Sequence, residues 1–241
     1  MNEYYGWRGK IGLIVNSGQV ITEPLYHRIA PPGICFYTSR ILVEGSVMES
    51  HASMEREAFR AGKELATASV DCIAYCCTIS GILKGIEGDR KFCQRMEEET
   101  GIPTTSTLSA VLEALERLKI KKMVLISPYE QETHATEEKF FQEKGFHLVK
   151  SRSMEVPSRK KRPYLAPGEI FRFCRESWDG SADGLFISCM NLNAMPCIAP
   201  LEKALGKPVL TSHSATFWKA LQMIRYGESL TGYGRLLAEP I

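Results

Sequence analysis

The chain has 241 residues, 44% of them apolar and 24% charged, with a formal net charge of +2. That length and balance fit one large or two smaller soluble globular domains, and the near-neutral charge predicts neither nucleic-acid nor membrane binding. No apolar run approaches the roughly 18 residues of a spanning helix, the segment from Met1 to Arg8 lacks the apolar stretch of a signal peptide, and the cysteines fit reduced thiols in a cytoplasmic protein.

In chain order, the first predicted strand covers 10–15 and ends in the polar turn Asn16-Ser17-Gly18-Gln19. A strand over 34–38 and a helix over 49–69 follow. The next strand, 71–76, runs into Cys77-Thr78-Ile79-Ser80-Gly81, where a helix opens. A strand over 103–105 leads to an amphipathic helix over 108–118, with Leu108, Val111, Leu112, Leu115 and Leu118 on one stripe. Then come strands over 122–127 and 146–150, and a helix over 167–178 with Pro167 in its first turn. Strands over 183–188 and 208–211 and a helix over 214–226 complete the chain. The strand runs are nearly continuous and rich in β-branched residues, as in strands covered on both faces. Alternation of strand and helix predicts an α/β fold with parallel sheets.

The order repeats. Asp71 to Thr78 matches Asp183 to Met190, which places Cys77 and Cys189 at equivalent points 112 residues apart. At the same offset Gly12-Leu13-Ile14 matches Val124-Leu125-Ile126, and Gly101-Ile102-Pro103 is echoed by Gly206-Lys207-Pro208. Three matched segments in one order predict an internal duplication. The halves are expected at 1–119 and 120–213, with the C-terminal helical region, about 214–241, packing back on the first.

Ligands of open parallel sheets bind at the carboxyl ends of the strands. Cys77 and Cys189 both stand there, so two thiols are expected to face each other across one cleft. Cys77 opens a helix, whose free N–H groups and dipole favour a thiolate; Cys189 suits the protonated partner. Asn16, Ser17, Gln19, Thr78, Tyr129 and Met190 are the expected substrate contacts. Cys76 should point away from Cys77, and Cys35, Cys72, Cys93, Cys174 and Cys197 are read as packing residues. His213 reads as a helix-start residue. The run Arg159-Lys160-Lys161-Arg162 is expected to be a solvated loop, with gathering of an anionic substrate as its functional alternative. The five histidines show no H-x-x-x-H pattern, there is no C-x-x-C, and no metal site or cofactor is expected.

Several motifs together carry a family resemblance. They are Ile11-Gly12-Leu13-Ile14-Val15 with Glu23-Pro24 downstream, Ile73-Ala74-Tyr75-Cys76-Cys77-Thr78, Gly101-Ile102-Pro103-Thr104-Thr105, Ser127-Pro128-Tyr129, Phe186-Ile187-Ser188-Cys189-Met190-Asn191-Leu192 and Gly206-Lys207-Pro208-Val209-Leu210. From about Lys10 to Ala220 the chain resembles the cofactor-independent aspartate/glutamate racemase superfamily, and within it the branch of maleate cis-trans isomerases and arylmalonate decarboxylases. The resemblance implies two pseudo-symmetric Rossmann-like (flavodoxin-like) domains with the active site between them. It also implies Cys77 as nucleophile, Cys189 as acid/base and Tyr129 as a site residue. Retention of both cysteines favours isomerisation of a maleate-like dicarboxylate. An amino-acid racemase, an arylmalonate-type decarboxylase and a non-catalytic carboxylate-binding protein are the alternatives. The expected partner is a small carboxylate substrate, and the expected assembly is a dimer of this chain. Gln19, Asn16, Cys76 and the basic run depart from the isomerase pattern.

Overall fold

The computed structural model describes residues 4–45, 47–156 and 158–241, apart from the side chains of 47–49, 51 and 52. Met1, Asn2 and Glu3, part of the segment read for a leader, lie outside the described residues. The strands are β1 (Gly9–Asn16), β2 (Ile34–Ile41), β3 (Cys72–Cys76), β4 (Thr104–Ser106), β5 (Lys122–Ser127), β6 (His147–Ser153), β7 (Gly184–Ile187) and β8 (Val209–Thr211). The helices are α1 (Thr22–Ile29), α2 (Val47–Thr67), α3 (Thr78–Thr100), α4 (Thr107–Arg117), α5 (Gln131–Glu143), α6 (Pro167–Ser177), α7 (Ile198–Leu205), α8 (Ser212–Met223) and α9 (Arg235–Ala238). Among the described residues no helix is long and apolar enough to cross a membrane.

Two four-stranded sheets form, in orders β2-β1-β3-β4 and β6-β5-β7-β8, and their strand pairs are parallel. The second order is the first with four added to each number, so the duplication is one of topology. It reaches individual atoms. Asp71 accepts the Lys10 N–H at 2.7 Å, and Asp183 accepts that of Lys122 at 2.8 Å. Each carboxylate therefore locks the start of its central strand. Gly101 and Gly206 end α3 and α7 at φ 71° and 70°, the left-handed cap that suits glycine. Ser106 and Thr211 then cap α4 and α8 by accepting the N–H of Ser109 and of Ser214, each at 3.0 Å.

Side chains of β3 alternate. Cys72, Ala74 and Cys76 enter the main core, whereas Ile73, Tyr75 and Cys77 face α2 and α3. Cys76 thus packs away from Cys77, as its place in the strand predicts. The main core is continuous, joining Leu13 and Ala74 of the first sheet to Leu125 and Phe186 of the second through α4 and α8. All eight cysteines are free thiols. Helix α8 bonds into the first half: the Tyr26 hydroxyl donates to the His213 carbonyl at 2.9 Å, and that of Thr216 to Thr107 Oγ1 at 3.1 Å.

Candidate active site

Strand β3 ends at Cys76, and Cys77 is the N-cap of α3. Its sulfur accepts the Asn16 amide at 3.4 Å. Cys189 lies just past β7, beyond Ser188, and its sulfur accepts the Asn191 N–H at 3.3 Å. One side chain joins the two thiol-bearing turns. The Ser212 hydroxyl accepts both the Cys189 N–H and the Thr78 hydroxyl at 3.0 Å. Asn191 ties the same region to the first loop: its amide donates to the Gly18 carbonyl at 3.2 Å and its oxygen accepts the Val20 N–H at 3.0 Å.

A cavity of about 270 Å³ opens between the sheets, and Cys77, Cys189, Asn16, Ser17, Gln19, Thr78, Tyr129 and Met190 all line it. The structure therefore brings together both candidate cysteines and the six expected substrate contacts. Gln19 has a second task, since its Nε2 donates to the Cys76 carbonyl at 2.6 Å and its oxygen accepts the Thr22 hydroxyl at 2.9 Å. A larger open groove of about 890 Å³ lies on the outside of α2 and α3. Its Arg60, Glu64, Arg95 and Glu99 pair among themselves, and it holds no thiol. Among the described residues no group of three or more His, Cys, Asp or Glu could hold a metal ion.

Two expectations need correction. The first concerns Cys77, whose helix start was expected to favour a thiolate. Burial is the largest influence and raises its pKa, against the Ser80 N–H, the Asn16 amide, Lys84 and Arg159. Cys189 is raised by burial too, opposed by Arg162, the Asn191 N–H and the Tyr129 hydroxyl. In both, burial pushes the thiol toward its protonated form. Burial also keeps the Tyr129 phenol protonated, as a donor. The second correction concerns the basic run, which is solvated only in part: Lys160 and Lys161 are exposed, whereas Arg159 is half-buried and Arg162 buried. Arg159, Lys160 and Arg162 line the cavity. Arg162 is only 6% exposed, pairs with Glu130 at 2.7 Å and lies 5.1 Å from the Tyr129 ring centre. Val43 and Asn191 also line the cavity, and the sequence had not singled them out. Ser212, directly after the predicted strand over 208–211, had not been singled out either.

Residues 11–237 match the arylmalonate decarboxylase family. The chain is 26% identical to a maleate isomerase of Pseudomonas putida, across 95% of this chain and 97% of that one. It is 28% identical to an arylmalonate decarboxylase of Bordetella bronchiseptica, across 60% of this chain and 61% of that one. Its fold is that of a mutant Nocardia farcinica maleate cis-trans isomerase holding a covalently bound succinylcysteine intermediate, with a TM-score of 0.87 at 23% identity over 95% and 98% of the two chains. Paired sheets, a cleft carrying a thiol from each half, and a match running almost end to end together place this chain in the arylmalonate decarboxylase family.

Proposed function

We propose that this protein is a cofactor-independent isomerase that converts a small cis-enedioate of the maleate type to its trans isomer. One observation carries the reading: two cysteines from equivalent strand ends line the same cavity. A decarboxylase needs one proton donor, whereas cis-trans conversion through a covalent adduct uses a nucleophile and a proton carrier. The maleate isomerases matched over 95% of this chain support it, as does the succinylcysteine formed by the Nocardia farcinica enzyme.

Cys77, its thiol proton first released to solvent, adds as the thiolate to one alkene carbon and places the electron pair on the other, delocalised into the adjoining carboxylate. That charge develops beside the N–H groups that open α3 and beside the Tyr129 phenol. The Cys189 thiol gives its proton to the carbanionic carbon and becomes a thiolate. The former double bond is now single and rotates. Cys189 takes a proton back, the electron pair re-forms the alkene, the carbon–sulfur bond breaks, and Cys77 leaves as the thiolate it was. Asn16, Ser17, Gln19 and Thr78 hold carboxylates in the first half, and Met190 closes the cleft from the second.

The test is maleate in metal-free buffer, followed by proton NMR. Fumarate should form, and both Cys77→Ser and Cys189→Ser should abolish its formation. Loss of carbon dioxide from phenylmalonate with maleate untouched would assign the decarboxylase reaction instead.

A further inference from the structure

The cleft is lined unequally by connections that the duplication makes equivalent. After β2, the turn at 42–45 presents apolar Val43 to the cavity. After β6, the matching connection presents Arg159, Lys160 and Arg162. The described lining thus holds three cations and no carboxylate. Arg162 is committed to Glu130 and to the face of Tyr129, which fixes the base of this arm, although its buried Nε has no partner. Arg159 is held differently. Its guanidinium reaches across the cleft and donates to the Val43 carbonyl at 3.4 Å, a neutral acceptor at long range. Among the described residues no carboxylate pairs with Arg159 or Lys160. A half-buried guanidinium whose hydrogen bond among the described residues is to a carbonyl is matched by a carboxylate, which can take two of its N–H donors at once.

We propose that Arg159 is a specificity-determining residue that makes the site select dianionic acids, by gripping the carboxylate that lies toward the arm while the first-half turns hold the other. The inference rests on the reading above for the location of the site and not for its turnover. It also gives a physical ground for rejection: an acid with one neutral end would leave Arg159 desolvated and unpaired. The same guanidinium is among the charges that oppose burial at Cys77, so a variant here alters thiol reactivity as well as binding. The assay must separate the two effects.

Binding of unreactive ligands does so. Succinate and succinamate share a shape and differ in one charge, and each can be titrated for protection of Cys77 against iodoacetamide, read by mass spectrometry. Taking the ratio of the two half-protection concentrations within one variant cancels any change in intrinsic reactivity. In the wild type, succinate should protect at concentrations roughly tenfold to a hundredfold lower than succinamate. Arg159→Gln should bring the ratio close to one by weakening succinate alone, and Arg159→Lys should keep part of it. Equal protection by both acids in the wild type would overturn the proposal, as would an Arg159→Gln variant that weakens both equally. Selective protection by succinate without turnover of maleate would support this inference and reject the isomerase reading. Turnover of maleate with a ratio untouched by Arg159→Gln would reject this inference alone.

Discussion

Cys189 adopts φ 107°, in the left-handed region where a side chain costs on the order of 1–3 kcal/mol. Cys77, its equivalent, is extended at φ −147°. Strain therefore sits on the thiol assigned to proton transfer and spares the nucleophile. Cys189→Ala keeps that strain and Cys189→Gly relieves it. Glycine ordinarily loses about 0.4–1 kcal/mol to alanine through chain entropy; here the glycine variant should melt no lower than the alanine one, and a clearly lower calorimetric midpoint would show a relaxed backbone. The thiols also differ in chemistry. With an electrophilic substrate analogue, Cys77→Ser should form no adduct, whereas Cys189→Ser should form one and stall. An adduct on wild-type Cys189 with Cys77 intact would reverse the roles. Because burial raises both thiols, alkylation of the empty enzyme should keep accelerating as pH climbs through the ordinary thiol range. A plateau near neutral pH would reveal a standing thiolate.

Helix α5 shows what the sequence hid. Its inward stripe is His134, Glu137, Phe140 and Phe141, correct in helical spacing but half polar, so apolar periodicity missed it. Short α1 gave too few turns to read, while the strands, covered on both faces, stood out as apolar runs. Strand β6 extends to Ser153, past the predicted end at 150, because it is an edge strand that keeps polar residues at Ser151, Arg152 and Ser153. The basic arm was legible as charge but not as position, since burial of Arg162 depends on Tyr129 and Glu130 meeting it from another connection. The polar stripe of α5 has a cost of its own. Glu137 is fully buried with neither oxygen bonded, and burial raises it from 4.5 to about 8, against partial opposition from Ser188. The folded chain thus holds a proton that the unfolded chain releases above about 4.5, and stability falls as pH rises toward about 8. Glu137→Gln abolishes that slope. Its advantage over wild type in urea unfolding should grow by about 1.4 kcal/mol for each pH unit in that window. A pH-independent difference would mean Glu137 is already ionised in the fold.

At the scale of the molecule, the apolar interior crosses from one sheet to the other without interruption. We place the boundary between the halves in the turn at 118–121, yet no break in the core accompanies it. Circular dichroism and tryptophan fluorescence should therefore report one coincident unfolding transition, and two separated midpoints would contradict a shared interior. Pairing α4 with α8 makes this so: equivalent helices lie against each other, and the Thr216 hydroxyl reaches Thr107. That contact bears on ancestry. A forebear of half this length would have carried a single copy of the helix, with its apolar stripe facing outward. Covered by a twin, that stripe would be buried as it is here, and such a pair would bring one thiol from each member to a shared cleft.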